Sequence, residues 1–244
     1  WNPNRRFIDE TELGEVDAWI HLAGENIAQK RWTKKRLEAL RSSRVRVTRF
    51  LSDFILKQDK LPLAFISASG TGYYGSTTKD TSESASKGSG FLADLCSSWE
   101  QASESLNRAG IRRVLLRTGV VLDQRGGALA KLLPSFNLGF GGRIGQGEQL
   151  WSWIVMDDLL RIYDTALQDS SIEGVYNATS PLTVTNEHFA KTLGSVLNRP
   201  AILPVPAFVL RTALGKMADE ALLTGQKVIP QRLERYGFQF DFPE

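Results

Sequence analysis

Apolar and polar positions follow one another along this chain in two rhythms. Residues 16–23, Val-Asp-Ala-Trp-Ile-His-Leu-Ala, alternate and are rich in β-formers. They stop at Gly24, which predicts a strand ending in a tight turn. Residues 33–57 contain neither Gly nor Pro, and Leu37, Leu40, Val47, Leu51, Phe54 and Ile55 recur at helical spacing. This predicts one long helix, continuous or broken once. Residues 63–68 form a second predicted strand, entered through Pro62, and a loop rich in Gly, Ser and Thr follows from Gly70 to Gly90. Phe91, Leu95, Trp99, Ala102 and Leu106 lie on one helix face, closed by Gly110. Val114-Leu115-Leu116 is wholly apolar, as a buried parallel strand is. Strand, helix, strand, helix, strand predicts an α/β protein with a doubly wound parallel sheet.

Beyond Thr118 the pattern changes. Gly126, Gly127, Gly139, Gly141, Gly142, Gly145 and Gly147 crowd one stretch, which predicts frequent turns. Residues 174–178 read as another short strand. Thr185 is placed to cap a helix carrying Phe189, Leu193, Val196 and Leu197 that ends before Pro200. A helix is predicted over 207–223 and a short extended piece over 237–240. The organisation expected is a main domain over 1–200, with substrate-lobe insertions around 123–157, and a small C-terminal domain over 201–244.

Composition narrows the class. The chain has 244 residues, 42% hydrophobic and 23% charged, the balance of a globular protein and not of a disordered, collagenous or coiled-coil one. No apolar run reaches the length of a membrane span, so no membrane association is expected and the placement expected is cytoplasmic. One cysteine and two histidines, His21 and His188, predict neither an intrachain disulfide nor a metal site. The basic run between Lys30 and Arg49 is read as a solvated helix face, and with a net charge of only +3 nucleic acid is not an expected partner. The chain opens Trp1-Asn2-Pro3 with no methionine and no leader pattern.

In an open α/β sheet, ligands sit at the carboxyl ends of the strands. One predicted strand ends His21-Leu22-Ala23-Gly24, the next Ser67-Ala68-Ser69 ahead of Tyr73-Tyr74-Gly75, the third Arg117-Thr118-Gly119-Val120. Small residues there let a flat ligand approach the backbone, and the hydroxyls of Ser67 and Ser69 suit a ribose or a substrate oxygen.

These strand ends resemble those of the extended short-chain dehydrogenase/reductase family, the nucleotide-sugar epimerase type. Gly145-Gln146-Gly147 and residues 153–159 resemble its substrate-domain stretch, and Gly174-Val175-Tyr176-Asn177 its late strand. The likeness narrows further. Gly24-Glu25-Asn26-Ile27, Arg31-Trp32, Gly72-Tyr73-Tyr74-Gly75, Trp99-Glu100, Arg117-Thr118-Gly119-Val120-Val121-Leu122 and Gly225-Gln226-Lys227-Val228-Ile229-Pro230 resemble the atypical YfcH-type branch, which carries a small C-terminal domain of unknown role. The resemblance implies a Rossmann-type fold and NADP or NAD as cofactor. It implies hydride transfer at a secondary alcohol or carbonyl of a small-molecule substrate, with nucleotide sugars as the candidate class. Cofactor contacts are then expected from Leu22, Ala23, Gly24, Arg44, Ser67, Ala68, Arg117, Gly119 and Val120. The substrate pocket is expected at Glu25, Asn26 and Trp153.

The sequence departs from the family pattern twice. No Gly-rich phosphate loop precedes the first strand, so a strand–helix–strand–helix block of about 50 residues is expected upstream, within a protein of roughly 300 residues. The sheet here is then N-terminally incomplete. Aligned on Glu100, the family's catalytic Tyr and Lys fall at Leu92 and Cys96, neither of which can shuttle a proton in that way. Ser69, Tyr73 and Tyr74 are the remaining candidate catalytic groups. Ser69 would polarise a substrate oxygen, against the plainer role of bonding its own turn. Either tyrosine would act as an acid, against packing in the loop. Cys96 is read as a core residue, His21 as strand-end packing and His188 as solvated. Glu25 and Asn26 compete with a role in capping the next helix. The rival to an enzyme is a non-catalytic dinucleotide-binding sensor or scaffold.

Overall fold

The computed structural model describes residues 1–244 except Asn4, Arg6 and Glu12. The first strand, β1 (Ala18–His21), is shorter than the alternating run, and Leu22, Ala23 and Gly24 lie in the loop beyond it. Thr33 caps α1 (Lys34–Arg41), its hydroxyl accepting from the Arg36 N–H at 3.2 Å. The predicted long helix is broken. A wide π-type turn, Ser42–Arg46, separates α1 from α2 (Val47–Ile55). The extra residue resets the buried face: α1 buries Leu40, and α2 buries Val47, Thr48, Leu51, Ser52 and Ile55 as one stripe.

Strand β2 (Ala64–Gly70) is followed by a 3₁₀ turn, Thr71–Tyr74, and by β3 (Thr77–Thr81). The Gly/Ser/Thr-rich segment is thus not all loop. Its strand is polar and lies beside a partner from the far end of the chain, which no local pattern announces. The next predicted helix is two, α3 (Phe91–Gln101) and α4 (Glu104–Arg108), parted at the buried Ala102 and Ser103. Arg113, on β4 (Arg112–Thr118), donates to the Glu100 carbonyl at 2.8 Å and to the Ser103 hydroxyl at 3.2 Å at that break.

After β5 (Val120–Asp123), the glycine-crowded stretch holds a helix, α5 (Gly127–Asn137), where only turns were expected. Gly126 and Gly139 bound this helix and do not interrupt it. Then come β6 (Leu150–Trp151), β7 (Trp153–Val155), α6 (Met156–Gln168), β8 (Gly174–Ala178), β9 (Val184–Thr185) and α7 (Asn186–Val196). Thr185 caps α7, accepting from His188 N–H at 3.1 Å, and His188 itself is exposed. The helix expected over 207–223 ends early, as α8 (Ala207–Leu214), at Gly215, whose φ of +61° belongs to the left-handed region that glycine tolerates. A second wide turn, Ala218–Leu222, leads to β10 (Gln226–Val228) and α9 (Gln231–Tyr236). Residues 237–240 form no strand. Phe238 and Phe240 meet edge to face at 4.9 Å and pack on the core.

The central sheet is parallel, in the order β1-β2-β4-β8, with helices on both faces, a Rossmann-like α/β arrangement. One face packs Ile66, Val114, Leu116 and Tyr176 against Leu159 and Ile162 of α6 and Leu233 of α9. On the other, Phe65 meets Leu51 and Ile55 of α2, Leu106 and Ile111. The register sets Ser69 beside Arg117, and Arg117 beside Asn177, so the carboxyl ends of β2, β4 and β8 lie level. Strand β10 pairs in parallel with β3 and ties the last 20 or so residues to the sheet's carboxyl edge. Among the described residues no helix is long and apolar enough to cross a membrane.

Candidate functional site

Level strand ends bring polar side chains from distant parts of the chain into one buried chain of hydrogen bonds. Glu100 lies on the buried face of α3, one turn beyond Cys96. Its carboxylate takes two hydrogen bonds from Arg117, Nε at 2.8 Å and Nη2 at 2.7 Å, and a third from the Ser69 hydroxyl at 2.7 Å. Arg117 Nη1 donates to the Tyr74 hydroxyl at 2.9 Å, and Tyr74 donates in turn to Asn177 Oδ1 at 2.7 Å. The Asn177 amide nitrogen closes on the Ile229 carbonyl at 2.9 Å. Burial works against the Arg117 charge, but the hydrogen bonds and charge of Glu100 outweigh it, and the guanidinium's pKa is raised above its usual value.

The three candidate catalytic residues therefore differ. Tyr74 is buried, its proton is committed to Asn177, and burial raises its phenol against the opposing pull of Arg117. An acid at neutral pH needs the opposite shift, so the expectation of Tyr74 as acid is corrected to a structural role. Tyr73 stacks on Arg117, whose Cζ lies 3.4 Å from the ring centroid, and its hydroxyl has no partner among the described residues. Ser69 is buried and gives its one proton to Glu100, so toward any further group it can only accept. Arg117, expected to touch the cofactor, turns its guanidinium inward to Glu100 and Tyr74. Its role is to hold the strand ends.

At the end of β1 a second group forms. Arg44 sits on the wide turn, 5.1 Å above the Trp99 ring, with Nη1 donating to the Glu25 carbonyl at 2.9 Å. A side chain on Gly24 would come within 3.0 Å of the Arg44 Cζ, so the glycine admits the guanidinium. Burial lowers the Arg44 pKa from its ordinary value. Arg44 Nε and Nη2 hold no hydrogen bond among the described residues. Arg36 holds the Glu25 carboxylate, keeping its pKa below the usual range, and donates to the Asn26 carbonyl at 2.5 Å. Asn26 Oδ1 accepts from Ala28 N–H at 2.8 Å, closing a turn, and it is Thr33, not Glu25 or Asn26, that caps the next helix. A cleft of about 210 Å³ opens here, lined in part by Glu25, Ser42, Ser43 and Arg46. Leu22 is exposed, with Ala23 half-buried beside it.

His21 is buried, its Nε2 2.8 Å from Thr48 Oγ1, and burial lowers its pKa to about 4, so it is neutral packing at pH 7. Ser67 is buried and donates to the Ala68 carbonyl at 3.1 Å. Gly119 does not open toward a ligand. A Cβ there would lie 2.5 Å from the Ser152 carbonyl oxygen, and Val120 N–H donates to that oxygen at 2.8 Å. On that side Gly119 and Val120 meet Ser152. Trp153 is buried in β7 beside Val120, and its indole N–H has no partner among the described residues, as is true of the buried Thr179 hydroxyl. Leu92 and Cys96 press on Gly72 and Gly70, and burial pushes the Cys96 thiol up to about 11.

Sequence reasoning used Glu100 only as an alignment mark and overlooked Asn177 and Glu83. A signal was present. Glu100 stands on the apolar face of its helix with Ala93, Cys96 and Trp99, and Asn177 interrupts a buried apolar strand. A polar group in such a place needs a partner.

Comparison with known proteins extends along nearly the whole chain. Epimerase family protein Mb2239 of Mycobacterium bovis is 44% identical over 98% of this chain and 79% of its own length. The chain belongs to the epimerase family. This epimerase-family chain also matches the family described as "Domain of unknown function (DUF1731)" over residues 205–244. Its fold superimposes on the crystal structure of human epimerase family protein SDR39U1 (isoform 2) with NADPH at a TM-score of 0.89. That pair shares 36% identity, over 96% of this chain and 81% of the human one. A nucleoside-diphosphate sugar epimerase of Corynebacterium glutamicum gives a TM-score of 0.80 and 32% identity, over all of this chain and 47% of that one.

Proposed function

We propose that the protein binds NADP or NAD across the carboxyl ends of β1 and β2, and uses it for reversible hydride transfer at a secondary alcohol or carbonyl of a small molecule. The observation that carries this is the likeness to the human relative solved with NADPH. The chemistry of the site is in keeping with it. Ala23, Gly24 and Ala68 leave room beside the backbone, and Arg44 offers free N–H groups to a phosphate. The dinucleotide supplies the hydride when bound. Ser69, fixed as an acceptor, receives a hydroxyl or amide N–H. The Tyr73 hydroxyl faces no competing partner and is the remaining phenol for proton transfer. Glu25, Asn26 and Trp153 border the substrate, with a nucleotide sugar as its class, and the segment from 201 onward forms the small C-terminal unit of the YfcH-type branch.

A second reading is favoured by one observation. The Tyr74 proton is committed to Asn177, and on the register set by Glu100 the usual Tyr/Lys pair falls at Leu92 and Cys96, neither of which supplies an activated phenol. A dinucleotide-binding sensor or scaffold would need none. Calorimetric titration of the full-length protein with NADPH and NADH tests the shared part, and loss of all binding refutes both readings. Turnover of a panel of nucleotide sugars and carbonyl compounds then separates them.

A further inference from the structure

The hydrogen-bond chain at the strand ends does not stop at the sheet. Its far end is held by residues of the C-terminal segment. Asn177 uses both halves of its amide, Oδ1 toward Tyr74 and Nδ2 toward the Ile229 carbonyl. Its backbone N–H donates to Glu83 Oε1 at 3.0 Å, and the same oxygen takes the Arg232 N–H at 3.3 Å. Ile229 is fixed in turn. Its N–H donates to the Thr81 carbonyl at 3.0 Å, and β10 just before it is clamped by Ser152, whose hydroxyl donates to the Gln226 carbonyl and accepts from Val228 N–H. Arg232 donates to the Val175 and Glu173 carbonyls of and beside β8.

These bonds have a direction. A carbonyl can only accept, so Ile229 demands the NH₂ of Asn177 and leaves Oδ1 facing Tyr74. Arginine can only donate, so Tyr74 accepts from Arg117 and must donate to that Oδ1. Glu100 takes Arg117 on one side and the Ser69 proton on the other. Every proton from residue 229 to residue 69 is thereby assigned, with Ser69 left as an acceptor.

The geometry points to residues 226–232 as a positioning element of the strand-end site. Through Asn177 they hold the orientation of Tyr74, Arg117 and Glu100, and so the hydroxyl of Ser69. The segment of unknown role is, in this respect, a part of the site placed late in the chain. The inference deepens the dinucleotide-binding reading where ligand binding is concerned, but its structural content stands apart from it.

The test compares the full-length protein with Asn177→Leu and Asn177→Asp. The aspartate keeps an acceptor for Tyr74 and loses the donor to Ile229. Amide hydrogen exchange is read along the chain, and NADPH is titrated by its fluorescence. We expect exchange at residues 69–74 and 96–101 to accelerate by about three- to tenfold in both variants, with β1 and α6 unchanged. NADPH affinity should fall by a similar factor, with the Asn177→Asp and Glu100→Gln effects on it less than additive when combined. Faster exchange confined to residues 226–236, or spread evenly over the chain, overturns the inference. So does an NADPH affinity that is unchanged while residues 69–74 stay protected. If the leucine variant does not fold, the aspartate variant carries the same readouts. If the unaltered protein binds no NADPH yet the local exchange pattern appears, the positioning stands and the dinucleotide reading falls.

Discussion

Arg117→Met removes the cation at the centre of the strand-end chain and leaves a flexible apolar stem in its place. Arg117 is 4% exposed and its Glu100 partner 8%, so the carboxylate loses two of three side-chain hydrogen bonds inside the protein, where water cannot replace them. Breaking a buried pair from one side costs about 3–5 kcal/mol. The Tyr74 hydroxyl loses a donor as well, but keeps its bond to Asn177, which places the expected loss near the middle of that range. With a urea slope of about 3 kcal/mol per molar, the unfolding midpoint should drop by a little over ~1 M. The double variant Arg117→Met with Glu100→Gln neutralises both partners and leaves an acceptor for Ser69. It should recover at least half of the loss. Equilibrium urea unfolding followed by tryptophan fluorescence measures both. A single variant costing under about 1 kcal/mol, or a double variant no more stable than the single, would refute the account of a buried charge left without a partner.

Four further outcomes are expected. The pKa of His21 in the folded protein, about 4, lies below the 6.5 of a free imidazole side chain, so its contribution is fully present above pH 6.5 and is lost as pH falls toward 4. The loss is about 3 kcal/mol, and His21→Gln should flatten the urea midpoint between those pH values; an unchanged slope would count against a buried neutral imidazole. Arg44→Ala should weaken NADPH binding by about 1.5–3 kcal/mol if a charge-assisted hydrogen bond is lost, and unchanged affinity in calorimetry would confine Arg44 to packing on Trp99. Cys96, buried with its thiol pushed up to about 11, should resist a disulfide reagent at pH 8 in the native state and react fully in urea. For the same reason, installing the family's pair as Leu92→Tyr with Cys96→Lys should unfold the protein before it restores chemistry, because the lysine would enter a site already closed by Gly70. A cooperative melt near that of the parent would contradict this.

The legible parts of the fold were those where one periodic pattern meets one neighbour. The parallel strands around residues 64–70 and 112–118 are apolar runs with sharp ends, and the Thr185 cap is a local hydroxyl contact. What was not legible depends on partners remote in sequence. Thr77–Thr81 is a strand because residues 226–228 pair with it, about 150 residues later. The break between α1 and α2 follows from fitting two buried faces, which helical spacing alone does not distinguish from a continuous helix. Arg117 and Tyr74 stand at the strand ends with their polar groups turned inward, because Glu100 and Asn177 engage them and only the folded chain brings these together, which no local pattern of residues shows.

The pairing of β10 with β3 has a consequence for synthesis. A ribosome makes the chain from the first residue onward, and upstream strands collapse while the rest is still being translated. The β3 edge, the Glu83 carboxylate and the Asn177 amide all precede their partners in time, since Gln226, Ile229 and Arg232 emerge after them. Until then an unpaired strand edge and several stranded polar groups mark the nascent chain as unfinished. Closure of the strand-end site therefore waits until residue 232 has emerged, and a product stopped short of residue 226 should be a substrate for proteolysis.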